Sequence, residues 1–446
     1  MVKMGMTIIK QACTGKSPWL VCTFLGAVAA VILSCSQDPI FYNIHMEAPP
    51  RTPVILGSPQ NMVLAHNAVY AWTVPGGNIW VFDESSGWNW KKLPAPDDGS
   101  PVPNGSIRGL AAADFGEGGG DLLVLVNQGG HISSSSQVWG YIADLTGKKH
   151  WLKLYETTDF ILHRLFAAGE GLFAGGQRKA NLNEYVILSF NAELVTATIN
   201  TVIIAVSAEI ILEGNLNINL VGAVAADTDD TVLLATERNG IYKVFLDEET
   251  EPEQFTPASG FVVNGIVKTG GDIVVTGNSN VRGILHILED NASYEEWPAP
   301  LLERGDLLFN GGMGVWQHST EAGWKPSLLL LGIRSNGSTL NGYRELALNE
   351  DGSILRNSNS SLSLNRPGEP GLTSSVASRD RYRESIETRS VHHIMQVPNL
   401  GGTFYPANNK NWQPPIFAGT AQHGLFAYDF RNDRWSADDN SVAWEQ

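Results

Sequence analysis

The stretch TVLLATERNGIYKVFLD (residues 231–247) opens with six residues that bury readily and show no polar alternation, turns through Glu-Arg-Asn-Gly, and continues as a second run interrupted by Lys243. An unbroken aliphatic and β-branched run of that length reads as a strand covered on both faces. Asn-Gly marks a tight reversal, so the stretch predicts an antiparallel hairpin.

The same order recurs along the chain. First members are DLLVLV (121–126), GLFAGG (171–176), TVLLAT (231–236), DIVVTG (272–277), SLLLLG (327–332) and PIFAGT (415–420). Second members are NIWVFD (78–83), VWGYIAD (138–144), YVILSFN (185–191), GIYKVFLD (240–247), GILHILED (283–290), YRELALNED (343–351) and GLFAYDF (424–430). A short strand, often with an aromatic residue, follows. The second members start 43 to 81 residues apart, and no amphipathic helix longer than two turns interrupts them. Even the most apolar interior stretch, TINTVIIAVSAEIIL (198–212), is β-branched and carries Glu209, so it reads as one or two buried strands. Units of four short strands at this spacing are the signature of a β-propeller, in which each sheet buries its faces against its neighbours. The expectation is an all-β chain, a propeller of seven blades of four antiparallel strands over residues 51–446.

Three units resemble kelch-type blades. IWVFDESSGWNWKKLP (79–94) and LFAYDFRNDRW (425–435) keep the order of hydrophobic strand, Asp, turn and Trp, and LFAGGQ keeps paired glycines at Gly175 and Gly176. The resemblance implies a positive φ for glycine in a tight turn and a Trp that fills the widening gap between blades.

Upstream of the strands, Lys3, Lys10 and Lys16 precede an uncharged apolar run of 16 residues, PWLVCTFLGAVAAVIL (18–33), with no acidic residue before position 36. This is the layout of an export leader, short for a membrane span of about 20 residues. Ile32-Leu33-Ser34-Cys35 resembles the lipobox of bacterial lipoproteins, with Leu33 departing from the small residue usual at that place. The resemblance implies a signal peptide at 1–34, acylation of Cys35 as the first mature residue, and a lipidated tether over 35–50. In enterobacterial lipoproteins a residue other than Asp after the cysteine, here Ser36, favours passage to the outer membrane, which the resemblance implies here; whether the domain faces periplasm or exterior stays open. All three cysteines (13, 22 and 35) lie in or at the end of the leader, so the mature domain has none for an internal disulfide and relies on its core.

The net charge of −16, from 46 acidic and 30 basic residues, repels phosphate backbones and argues against nucleic acid as a partner. One stretch departs from the pattern. Residues 357–390 are rich in Ser, Asn, Gly and Pro, too poor in apolar residues to fold alone, and carry Arg379, Arg381 and Arg383 around Tyr382. They read as a polar loop insertion, with these four residues as candidate contacts for an acidic partner.

Motifs for chemistry are degraded. DESSGWNW (83–90) retains only the Gly87 and Trp90 spacing of a sialidase-type Asp-box, and STEAGW (319–324) retains less. His392-His393 is the close histidine pair, but successive strand residues point to opposite faces, and no metal or other cofactor is expected. DFGEGGGD (114–121) is acidic and unsuited to an anion. The expectation is a membrane-anchored envelope lipoprotein whose propeller binds a protein or ligand without catalysis. The alternative is a glycan-acting hydrolase or lyase with its site at the mouth of the channel.

Overall fold

The computed structural model describes residues 52–74, 77–95, 101–113, 120–129, 135–144, 146–197, 202–215, 218–226, 230–246, 250–255, 261–279, 283–289, 293–298, 307–316, 327–335, 341–355, 390–397, 415–421, 423–429 and 434–440. The chain divides into two compact units, Met1–Pro50 and Arg51–Gln446. All described residues belong to the second.

Among the described residues the strands form seven antiparallel sheets in chain order. The first holds β1 (Ser58–Ala65), β2 (Ala68–Val74), β3 (Ile79–Phe82) and β4 (Lys91–Lys92). The second holds β5 (Ser106–Ala113), β6 (Asp121–Gln128), β7 (Ser135–Ala143) and β8 (Lys149–Thr157). The third holds β9 (Phe160–Ala168), β10 (Gly171–Arg178), β11 (Asn181–Ala197) and β12 (Val202–Gly214). The fourth holds β13 (Leu220–Ala225), β14 (Thr231–Thr236), β15 (Gly240–Phe245) and β16 (Glu253–Phe255). The fifth holds β17 (Val262–Lys268), β18 (Ile273–Asn278), β19 (Gly283–Glu289) and β20 (Ser293–Pro298). The sixth holds β21 (Leu307–Trp316), β22 (Leu328–Ser335) and β23 (Asn341–Ala347), and the seventh β24 (Val391–Gln396), β25 (Ile416–Thr420), β26 (Gly424–Asp429) and β27 (Arg434–Ala437).

Each sheet meets its neighbours through its first strand. β1 lies against β5, β5 against β9, β9 against β13, β13 against β17, β17 against β21, β21 against β24, and β24 against β1. Sheets arranged radially with first strands innermost are a β-propeller. The expected count of seven four-stranded blades is corrected to six. In the sixth sheet the chain leaves β23 by a tight reversal, with Leu348 bridged to Ile354 and Asn349 N–H donating to the Ser353 carbonyl, so no fourth strand follows among the described residues.

The core is split into seven apolar clusters, one at each seam between successive sheets. This is why the second strands read as unbroken apolar runs. On β6, Leu122, Val124 and Val126 pack toward the first sheet, while Leu123 and Leu125 pack toward the third. The same alternation places Val232 and Leu234 against the third sheet, and Leu233 and Ala235 against the fifth. A strand buried on both faces has no polar side to show.

The predicted hairpin at 231–247 forms, with Thr231 paired to Phe245 and Thr236 to Gly240. Gly240 takes a φ of 80°, and Thr236 Oγ donates to its carbonyl at 2.7 Å, closing the turn. Gly175 and Gly176 are another matter, because neither has positive φ. They sit inside β10, where a Cβ on Gly175 would come within 2.6 Å of Leu220 Cβ on the next sheet and one on Gly176 within 2.4 Å of the Ile161 carbonyl. Close approach, not turn geometry, demands these glycines, which corrects the sequence expectation.

A second correction concerns residues 198–212. They fall in and before β12, the outermost strand of its sheet, which pairs on one side only; Ala205, Ser207, Glu209 and Ile210 are exposed. β11 and β12 continue beyond their neighbours. β10 pairs with residues up to Phe190, whereas residues 191–197 pair only with 202–207.

Among the described residues, no strand is exchanged between the first and last sheets where the ring closes. Val54 N–H donates to the Asp438 carbonyl at 2.7 Å, and Gly424 and Leu425 N–H donate to the Gly57 and Ile55 carbonyls at 2.8 and 3.1 Å. Trp90 N–H donates to Asn440 Oδ1 at 2.8 Å. Trp90 packs on Phe82 and Phe417 across this seam, and Trp435 donates its indole N–H to the Tyr343 hydroxyl of the sixth sheet at 2.8 Å. These two tryptophans fill the space between sheets, as the sequence implies.

Candidate binding site at the inner strands

All seven inner strands carry a register shift at the same level. The unpaired residues are Gln60 and Asn61 on β1, Arg108 on β5, His163 on β9, Val221 on β13, Asn264 on β17, residues 310–312 on β21 and His392 on β24. A bulge inserts extra residues into one strand, kinks it and re-aims its side chains. Here it turns a ring of mainly polar residues away from the apolar seams. It also breaks the simple alternation expected for His392 and His393, because Val391 and His393 pair with consecutive residues of β25.

Three of these polar groups, Asn61, Asn264 and Asn310, fasten one sheet to the next, and other polar groups at the seams do the same. Asn61 Nδ2 donates to the Leu110 carbonyl at 2.7 Å while its Oδ1 accepts from the Trp72 indole at 2.5 Å. At the next seam Asn127 Nδ2 donates to the Leu162 carbonyl at 3.0 Å, and Leu162 N–H donates to Ser136 Oγ. Val263 N–H donates to the Glu237 carbonyl at 2.8 Å. Asn264 and Asn278 both donate to the Phe309 carbonyl at 2.7 Å. Asn310 Nδ2 donates to Ser390 Oγ at 3.1 Å. His393 is hydrogen-bonded to the backbone of Met62, and burial drives its pKa down to about 4, so the ring is neutral at pH 7. Buried polar groups satisfied in this way stiffen the frame that holds them.

The second and third sheets differ. After the bulge residue, β5, β13 and β17 place Gly109, Gly222 and Gly265, where a Cβ would meet the next inner strand at 3.1, 2.7 and 2.6 Å. On β9 the corresponding residue is Arg164, paired with Gly175. Arg164 and the bulge residue Arg108 are exposed, and among the described residues neither makes a hydrogen bond or ion pair. Burial nonetheless lowers the pKa of Arg164, opposed by the field of Glu237. A side chain that touches solvent yet is crowded by protein is the condition of a group lining a narrow channel. The bulge residue of β9 is His163, directly before Arg164; its Nε2 donates to Gln177 Oε1 at 2.9 Å, and Gln177 in turn donates to the Leu182 carbonyl at 2.8 Å, which fixes the amide and hence the tautomer. Burial first, and then the charges of Arg108 and Arg164, hold the His163 pKa below the ordinary histidine value.

Of the residues singled out in the sequence, Cys35, Arg379, Arg381, Tyr382 and Arg383 lie outside the described residues, as does residues 319–324. Asp83 caps its own turn, its Oδ1 accepting from Ser86 N–H at 2.7 Å and Ser85 Oγ at 2.9 Å. Among the described residues no group of three or more His, Cys, Asp or Glu stands together in a way that would hold a metal ion. The inner-strand ring went unnoticed in the sequence, although Ile-Arg-Gly (107–109), Leu-Val-Gly (220–222), Val-Asn-Gly (263–265) and Phe-Asn-Gly (309–311) repeat an apolar residue, a bulge residue and glycine.

No protein-family model matches the chain, and no curated protein matches it. Solved structures do match, in fold alone. The Cps50 (Swd1) β-propeller domain of Myceliophteria thermophila shares 10% identity at a TM-score of 0.44, over 84% of this chain and 98% of that one. The extracellular domain of BT4673 from B. thetaiotaomicron shares 9% at 0.45, over 85% of this chain and 39% of the other. The WD40 β-propeller domain of Doa1 shares 10% at 0.41, over 89% and 98%.

Proposed function

We propose that the chain is a non-catalytic binding propeller, anchored to a bacterial envelope membrane through lipid on Cys35, whose blades present a rigid ring to a protein or ligand partner. The kelch-like order of Asp, turn and Trp in its first and last sheets is part of this reading. The observation that supports it is the use made of the inner-strand polar groups. Asn61, Asn264, Asn310 and His393 are committed to neighbouring sheets, so the ring is a frame with little internal freedom, while Arg108 and Arg164 are left for a group from outside. A pre-organised frame of this kind lowers the ordering cost of association.

The test is intact-mass analysis of the protein from its own membrane fraction beside a Cys35→Ala variant, followed by in-cell crosslinking. A diacyl or triacyl mass on a chain starting at Cys35, absent from the variant, together with a reproducible crosslinked partner, is the expected result. An unmodified chain retaining residues 1–34 would sink the anchor, and turnover of a glycan by the purified protein would sink the non-catalytic reading.

A further inference from the structure

We infer that Arg108 and Arg164 form an anion-binding site at the channel face between the second and third sheets, taking a carboxylate or phosphate group. The inference rests on the propeller ring and extends the binding reading; it does not depend on the lipid anchor.

Three observations carry it. The first is placement. Gly109, next to Arg108, lies against Leu165, next to Arg164, with a Cβ on the glycine 3.1 Å from Leu165 Cβ, so the two arginines spring from abutting stretches of neighbouring inner strands. The second is residue type: after the bulge, β5, β13 and β17 carry glycine and β1, β21 and β24 carry Met62, Met313 and His393, whereas β9 carries the exposed Arg164. Glycine there serves close packing, and an arginine gives that up for a long, charged side chain on the solvent side of the strand.

The third is the missing counter-charge. In a chain with 46 carboxylates against 30 cationic side chains, a guanidinium pair readily finds an acid. The carboxylate acting on Arg164 is Glu237, which accepts from Asn219 Nδ2 at 3.0 Å and stands 4.0 Å from Arg238 Nε. It reaches Arg164 through its field and not by contact. The two guanidiniums rise from abutting strands and both reach solvent, so an anion held by both would accept paired N–H bonds from each planar fork. The low dielectric of the crowded wall strengthens the attraction. His163 completes the wall: with Nε2–H given to Gln177, its Nδ1 remains the ring atom that would become a second donor on protonation.

Calorimetric titration of the full chain with inorganic phosphate, and separately with a short peptide rich in Asp and Glu, tests this. Saturable binding of phosphate identifies a small free anion as the occupant, and binding of the peptide alone identifies an acidic side chain delivered by a partner; either outcome supports the site. In Arg108→Gln and Arg164→Gln affinity should fall at least tenfold, and the lysine variants, which keep charge but lose the fork, should fall between. Both side chains are exposed, so the variants should keep the parent circular dichroism and melting temperature. Absence of saturable binding of both probes by the folded protein, or binding unchanged in the folded glutamine variants, would overturn the inference. A crosslinked partner found in that case would leave the binding reading intact.

Discussion

At the scale of single residues, this protein is ruled by how closely its blades approach. Gly175 and Gly222 have no turn to make; each leaves room for an aliphatic side chain of the next sheet, Leu220 and Ile266. Gly175→Ala should therefore destabilise the fold by about 1–3 kcal/mol, the usual cost of forcing extra volume into a close-packed contact, visible as an earlier midpoint in urea with an unchanged slope. Asn264 makes the complementary case. Its amide bonds the Phe309 carbonyl, and its Oδ1 accepts from Thr276 Oγ at 3.0 Å. Asn264→Ala removes the acceptor of the Thr276 hydroxyl and one of two donors to the Phe309 carbonyl, which keeps Asn278, and a loss of about 0.5–1.5 kcal/mol is expected. A Asn264→Asp variant tells hydrogen bonding from packing, since it keeps the shape and the acceptor but loses the donor.

At the scale of elements, the three strand positions of a blade were unequally legible. Second and third strands stood out because both their faces are buried, so DLLVLV and TVLLAT carry no polar side to confuse with a loop. Fourth strands were legible through single aromatics, Trp90 and Trp435. The inner strands were not, because a bulge residue such as Arg108 or Asn264 interrupts the two-residue period just where a strand would be recognised. The candidate site shared that fate: Arg108 and Arg164 belong to different sheets and come onto abutting strands only when the ring forms, whereas the arginines at 379, 381 and 383 stand within five residues of sequence. The extension of β11 and β12 gives a prediction of its own. Residues 193–197 pair only with 202–205, so replacing 193–205 with Asn-Gly, closed by the pair Ala192 and Val206, should change stability by less than about 0.5 kcal/mol, as surface changes usually do. A drop in melting temperature of several degrees would show that the extension supports the ring.

At the scale of the whole molecule, pH acts on the seams. His393 at the last seam and His286 in the fifth sheet are both held near a pKa of about 4 by burial, against 6.5 for a free histidine. A base whose pKa is depressed on folding favours the native state above its unfolded value. That contribution is complete above pH 6.5 and lost as pH falls toward 4, where the native rings must also take up protons. Denaturant midpoints should accordingly decline between pH 6.5 and 4. His393→Gln, which retains a donor toward Met62, should flatten part of that slope, and an unchanged slope would mean that the ring does not titrate with folding. Ring closure offers a second handle. Asn440 holds both the N–H and the carbonyl of Trp90, at 2.8 and 3.4 Å, and Asn440→Ala should lower stability by about 1 kcal/mol.

That closure has a consequence for how the protein is made. A chain synthesised from its N-terminus completes the first sheet early, with Met62, Val69, Phe82 and Trp90 facing a seam whose other half, Phe417, Leu425 and Ala427, is the last part of the fold to emerge. For nearly the whole of synthesis that face is bare and sticky, and no strand from the far end can be borrowed sooner to cover it. Every nascent chain is thus an aggregation hazard of its own making. The molecule's yield in the cell should depend less on its final stability than on a chaperone that shields one sheet while the others are being delivered.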